Sequence, residues 1–198
     1  MPKGGDYERT VCKLLSEWLT HGRSDDELWR SSQSGGRATT RAKKGKKTKG
    51  HSGDTVATGK HGRRLLKIVT MELKRGYNKT ANVHSLLDLR HGADAVQMYE
   101  SWFLQAHTAA ARADTPYWWL IHRRDRREAM LFMPFRMWKK LNWNGEPPTP
   151  FVMIYVRVRA GKVRAKMKSR YMAAVGIQLA HFLFTTPPEN LWRAFEAK

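Results

Sequence analysis

The spacing of apolar residues predicts a helix first. In residues 6–20, DYERTVCKLLSEWLT, the positions Tyr7, Val11, Leu14, Leu15, Trp18 and Leu19 recur at helical period. Asp6 is placed as an N-cap and Gly22 as a stop. Residues 28–34, LWRSSQS, suit a short strand. Residues 54–59, DTVATG, and 65–74, LLKIVTMELK, read as two strands joined by KHGRR. The apolar run from Leu65 to Leu73 suits an inner strand. Residues 84–112 carry a helical pattern broken near His91-Gly92, with Val96, Tyr99, Phe103 and Ala106 on one face. YWWLIHR at 117–123 and AMLFM at 129–133 form a predicted hairpin around Arg124–Glu128, and Pro134 opens a short helix through Leu141.

Further on, residues 151–168 predict a second hairpin with Ala160-Gly161 in its turn. Val152, Ile154, Val156 and Val158 share one face of the first strand, and Arg157 and Arg159 lie on the other. After the turn Lys162, Arg164, Lys166, Lys168 and Arg170 recur at every second position, which makes a ribbon with one cationic face. The segment ending PPENLWRAFEAK closes the pattern with a helix begun near Pro187-Pro188. One stretch has no apolar pattern. Residues 35–53, GGRATTRAKKGKKTKGHSG, hold seven Lys/Arg and five Gly, and no large apolar residue. They can bury nothing and read as a loop. Its cations, Arg37, Arg41, Lys43, Lys44, Lys46, Lys47 and Lys49, lie just ahead of Asp54 and read as a phosphate clamp. The plainer alternative is a solubilising tract.

Charge narrows the partners. The 198 residues suit one domain, with a core at 6–133 and an extension at 134–198. Their formal net charge is +20, which must sit at the surface and favours a polyanion. Nucleic acid is the leading partner, because neutralising phosphates releases counterions. Acidic membrane is disfavoured: no helix has a clean basic face, and no apolar run approaches 18 residues. The single cysteine, Cys12, rules out a disulfide within the chain. The N-terminus lacks the apolar core of a signal peptide, so a cytoplasmic setting is expected. Trp18, Trp102, Trp118 and Trp119 read as core, whereas Trp143 in NWNG is a candidate for stacking on a base.

Candidate chemistry lies around Gly53-Asp54 and Glu72-Leu73-Lys74. Residues 72 and 74 of a strand point to one face, which presents a carboxylate and an ammonium together. Asp54 begins the expected neighbouring strand. Two carboxylates and the Leu73 carbonyl offer an oxygen site for Mg²⁺ or Mn²⁺. Lys74 would orient a water or stabilise charge on the phosphoryl group. Isolated Glu-x-Lys pairs are common and weak on exposed strands; here the preceding IVTM is apolar and the acids fall in order. His51, His61, His84 and His91 have no ligand spacing, and Ser31, Ser32 and Ser34 have no His/Asp partners in order.

These residues resemble the PD-(D/E)xK nuclease superfamily, and its Holliday-junction-resolvase-like branch in particular. Glu8 resembles that branch's N-terminal helix glutamate, which the resemblance places on the metal with Asp54, Glu72 and Leu73. Glu8 in the first turn could also simply answer the positive end of its helix. WRSSQSGGR resembles the branch's first strand, and Gln97 in AVQMYESW a glutamine that follows the Glu-x-Lys strand. The resemblance covers residues 6–133. Pro does not precede Asp54, where Gly53 stands instead. It implies a restriction-endonuclease-like α/β fold, a mixed central sheet flanked by helices, to which the basic hairpin is added. It further implies a Mg²⁺- or Mn²⁺-dependent endodeoxyribonuclease acting on branched DNA as a homodimer, in a bacterial or phage-infected host cell. Two other readings stay open: a nuclease for linear or single-stranded DNA, and a non-catalytic basic nucleic-acid-binding protein.

Overall fold

A computed structural model describes residues 5–31, 53–77, 98–141, 151–158 and 170–196. The first helix, α1, spans Gly5–Leu19 and buries Tyr7, Val11, Cys12, Leu15 and Leu19. Leu14 turns outward. Asp6 lies inside the first turn, where its carbonyl accepts the Thr10 hydroxyl, so it is not the N-cap. The helix ends as expected: Gly22, at φ +79°, donates to the Glu17 carbonyl, a conformation easiest for glycine. Strand β1 (Leu28–Arg30) pairs antiparallel with β2 (Thr55–Ala57) in a small two-stranded sheet. The buried Ser16 hydroxyl accepts the N–H groups of Glu27 and Leu28, which ties α1 to β1.

KHGRR is not a turn. It begins helix α2, Lys60–Leu66, so the strand that follows starts at Val69 rather than Leu65. The reason lies outside the segment. The Glu27 carboxylate accepts the His61 and Gly62 N–H groups at 2.6 and 2.9 Å and caps the helix from 34 and 35 residues away. A Cβ on Gly62 would strike the Glu27 carbonyl.

The central sheet has five strands in the order β3 (Val69–Arg75), β4 (Tyr117–Arg123), β5 (Ala129–Pro134), β7 (Arg170–Gln178), β6 (Phe151–Val158). Only β3 and β4 run parallel. The crossover carries helix α3, Met98–Ala113, and β4 and β5 form the expected hairpin. Short helix α4 (Phe135–Lys140) follows β5, as Pro134 suggested. After β7 come α5 (Leu179–Thr185), which the sequence pattern did not reveal, and α6 (Pro188–Glu196).

The sheet separates two cores. Val69, Met71, Leu73, Trp119 and Ile121 face α1, α5 and α6. Trp118, Leu120, Phe132 and Ile154 face Tyr99, Trp102, Phe103 and Ala106 on α3.

The second hairpin takes another register. Val158 pairs with Arg170 and Phe151 with Ile177, so the partner of β6 is Arg170–Gln178 and not residues 162–168. An inner strand is covered on both faces, which favours the apolar run Ala174–Ile177 over alternating cations. Residues 159–169, with Arg159, Lys162, Arg164, Lys166 and Lys168, lie outside the described residues. So do the loop cations Arg37 to Lys49, Gln97 and Trp143. Arg157 falls on β6, opposite Tyr171. Among the described residues no helix is long and apolar enough to cross a membrane.

Candidate active site

The site forms where β3, at one end of the sheet, meets the segment entering β2. Asp54 is fixed by three hydrogen bonds. Its N–H donates to the Met71 carbonyl at 2.8 Å, its carbonyl accepts the Ser31 N–H at 2.8 Å, and its Oδ2 accepts the Leu73 N–H at 2.8 Å. The side chain thus takes the place of a neighbouring strand along the edge of β3. Asp54 lies just before β2, and β2 belongs to the small sheet; the bonds to Met71 and Leu73, not strand pairing within one sheet, bring it to β3. Gly53 makes this approach possible. Its φ is +99°, and a Cβ there would lie 2.5 Å from the Met71 carbonyl oxygen and 2.9 Å from Thr70 Cγ2.

Strand alternation sets the other face. Met71 and Leu73 point into the α1 core, so Glu72 and Lys74 point toward α3. Glu72 is only 4% exposed. Its Oε2 accepts Lys74 Nζ at 3.3 Å and Gln105 Nε2, from α3, at 2.9 Å. The Leu73 carbonyl shares the edge direction of its N–H, toward Asp54.

The two acids are buried together, and their electrostatics follow from that. Burial, and then the nearby Asp54 charge, pushes Glu72 up to about 7, against the pull of Lys74. Burial also raises Asp54, opposed by the Leu73 N–H and by Lys74. Each carboxyl bears on the other: Asp54 raises Glu72, and Glu72 lowers Asp54. Two like charges so close in a poorly solvated place are costly to ionise together, and a bound cation would lower that cost.

Glu8, in the first turn of α1, is raised by burial and by Asp54. Arg30 of β1 stands 3.9 Å from its carboxylate. Among the described residues no three His, Cys, Asp or Glu side chains converge as a metal-binding group. Asp54 and Glu72 are the two acids the edge of β3 brings together, and Glu8 is close enough to feel the Asp54 charge. The donors are all oxygen, which fits Mg²⁺ or Mn²⁺. Cys12 is buried and its thiol is pushed up to about 12, so it stays protonated and offers no thiolate.

This order of acids on this scaffold agrees with the family comparison. The model of a family described as "phage putative PDDEXK endonuclease" matches residues 2–184. The chain belongs to this family. The family match extends through β6, β7 and α5, which the motif resemblance left unexplained. The mixed sheet flanked by helices accords with a PDDEXK-like fold, and DNA is the substrate that an endonuclease family implies. No curated protein and no solved structure is significantly similar to the chain.

Sequence reasoning missed three residues that shape this PDDEXK site. Gln105 donates to Glu72, and Gln97 lies outside the described residues. Gln105 lies three residues after Trp102 and beside Ala106 on α3, a polar position at the margin of the buried stripe, which was the available signal. Arg30 was hidden because its relation to Glu8 depends on how β1 packs on α1. His122 is opposite Lys74 in the sheet register, 2% exposed. Its Nε2–H donates to the Gly76 carbonyl and its Nδ1 accepts the Tyr99 hydroxyl at 2.8 Å. Burial holds its pKa below the usual value, so it remains neutral.

Proposed function

We propose that the chain is a divalent-metal-dependent endodeoxyribonuclease that cuts branched DNA as a homodimer. The observation that carries the metal-dependent reading is the pair of buried carboxyls, Asp54 and Glu72, at the edge of β3 beside Lys74. Such a pair takes up a hard cation in its ionised form, releasing the proton that burial keeps on Glu72. Asp54, Glu72 and the Leu73 carbonyl would hold Mg²⁺ or Mn²⁺, with Glu8 acting through water. The bound ion supplies positive charge at the phosphoryl oxygens and a more acidic water. The remaining work falls to the chain itself. Gln105 fixes the Glu72 carboxylate, and Asp54 is fixed by backbone. Lys74 is placed to orient the attacking water and to stabilise the negative charge that grows on the phosphate. The cations Arg37 to Lys49, which lead in sequence to Gly53-Asp54, and those of 157–168 act as phosphate contacts in this reading. The branched substrate and the two-fold assembly rest on the resolvase-like order of Glu8, Asp54, Glu72 and Lys74.

The test compares four-way junction, linear duplex and single strand, with Mg²⁺ or EDTA, at a protein concentration where the mass in solution is also measured. The wild type is expected to cleave the junction first and only with metal. Glu72→Ala and Asp54→Ala are expected to lose at least about 100-fold in rate. Cleavage that survives both substitutions would refute the site. Equal cutting of all three substrates would refute the branched selectivity, and a purely monomeric active species the dimer.

A further inference from the structure

Beyond Lys74 the chain makes a turn that the catalytic arrangement does not require. Gly76, at φ +86°, is pinned to β4 from two sides: its N–H donates to the Arg123 carbonyl at 2.9 Å, and its carbonyl accepts His122 Nε2–H at 3.1 Å. Tyr77 follows at φ +58°, a left-handed conformation that costs a residue with a Cβ and usually falls to Gly or Asn. A tyrosine held there by its surroundings is an outlier of the kind found at functional positions. Its ring stands edge-on to Trp102, with centroids 5.0 Å apart. Trp102 is 5% exposed and Tyr77 is 48% exposed. Tyr99 and His122 in turn pack on Trp102. A rigid aromatic stack therefore ends in a half-exposed phenol ring.

This ring is close to the acids. Only Arg75 and Gly76 separate Lys74 from Tyr77, so the Cα atoms of Lys74 and Tyr77 are at most about 11 Å apart. Trp102 and Gln105 are one turn apart on α3, about 5 Å along its axis, and Gln105 holds Glu72. Cations lie at this end of the sheet, on both of its faces. Arg75 and Arg123 are register partners at the ends of β3 and β4, and both bear on Tyr7 of α1. Arg124 bears on Tyr99 and His122, on the α3 side. Asp125, 3.8 Å from Arg75, is the acid beside them.

We infer that Tyr77 is a stacking platform for an unpaired base next to the scissile phosphate, with Arg75 and Arg123 on the flanking phosphates. The inference rests on the nuclease reading and narrows its substrate to branched DNA in which a base is unpaired or unstacked at the branch point. A duplex keeps its base faces inside the stack, so only an unpaired base can use this ring.

The experiment is run in EDTA, where nothing is cut. A duplex with a short unpaired flap carries 2-aminopurine at the first unpaired position, and a fully paired duplex serves as control. The wild type is expected to quench the probe and to prefer the flapped DNA. Tyr77→Leu still covers Trp102 but has no π face; it is expected to lose the quench and bind flapped DNA about 5- to 100-fold more weakly. Tyr77→Phe should behave as wild type. Arg75→Gln and Arg123→Gln should each lower the slope of log affinity against log salt by about 1, with the quench retained. A merely structural Tyr77 would lower the melting temperature in Tyr77→Leu and leave quench and affinity unchanged, which would overturn the inference, as would no quench by the wild type. Failure of the nuclease reading is separate: it would appear as no cleavage in Mg²⁺ with the quench intact.

Discussion

Among single residues Glu72 bears the largest cost of the site, and that cost has a sign. Unfolded, its carboxyl titrates near the ordinary 4.5, and folded near 7. Between those values the folded chain holds a proton that the unfolded chain has released, so metal-free stability falls as pH rises through the window. Below about 4.5 that contribution is complete. Urea unfolding in EDTA is expected to show a loss of about 2–3 kcal/mol from pH 4.5 to pH 7.5. In Glu72→Gln, which keeps the shape and cannot ionise, that loss should largely vanish. An unchanged pH slope in the variant would show that Glu72 is not the group paying it. Mg²⁺ binding needs the ionised pair, so stabilisation by the metal should be greater at pH 8 than at pH 6. Asp54 and the Glu72-Leu73-Lys74 triplet were legible in sequence because chemistry and order are both local. Gly53 was legible only as a departure from the family pattern. Its reason, a positive φ against the Met71 carbonyl, exists only once β3 is alongside.

At the scale of elements, legibility followed the range of the forces that make each one. Helix α1 and the β4–β5 hairpin carry their own periodicity and turn residues, and both were readable. Helix α2 was not, because Gly62 weakens a helix and its cap comes from Glu27. Removing that cap should therefore be felt. Glu27→Ala is expected to lower stability by about 1–2 kcal/mol, seen as a fall of about 2–8 °C in the thermal midpoint. A midpoint within a degree of wild type would mean that water satisfies those N–H groups equally well. The partner of β6 was misread for a related reason. Alternation made 162–168 look like a strand, yet which strand occupies the middle of a sheet is decided by what covers it. Ala174, Val175 and Ile177 are buried, and Gly176 makes room for the Phe132 ring.

For the whole molecule, charge and topology act together. A net charge of +20 over 198 residues predicts DNA binding in EDTA with a steep loss of affinity as salt rises. Glu72→Ala should keep that slope within about 1 of wild type, because it removes a buried acid and no phosphate contact. Filter binding from about 50 to 200 mM salt measures it; a nearly flat wild-type slope would show that the cations are not used on DNA. The amino-acid sequence alone determined that the chain is a basic α/β protein with acids in nuclease order, since composition, periodicity and motif order are properties of the chain itself. Tertiary structure decided which of those acids meet, that Gln105 of α3 touches Glu72, which segment fills the sheet between β5 and β6, and that Tyr77 is half-exposed. Those outcomes depend on competition between distant segments for the same buried space and the same hydrogen bonds, and no local pattern records who wins.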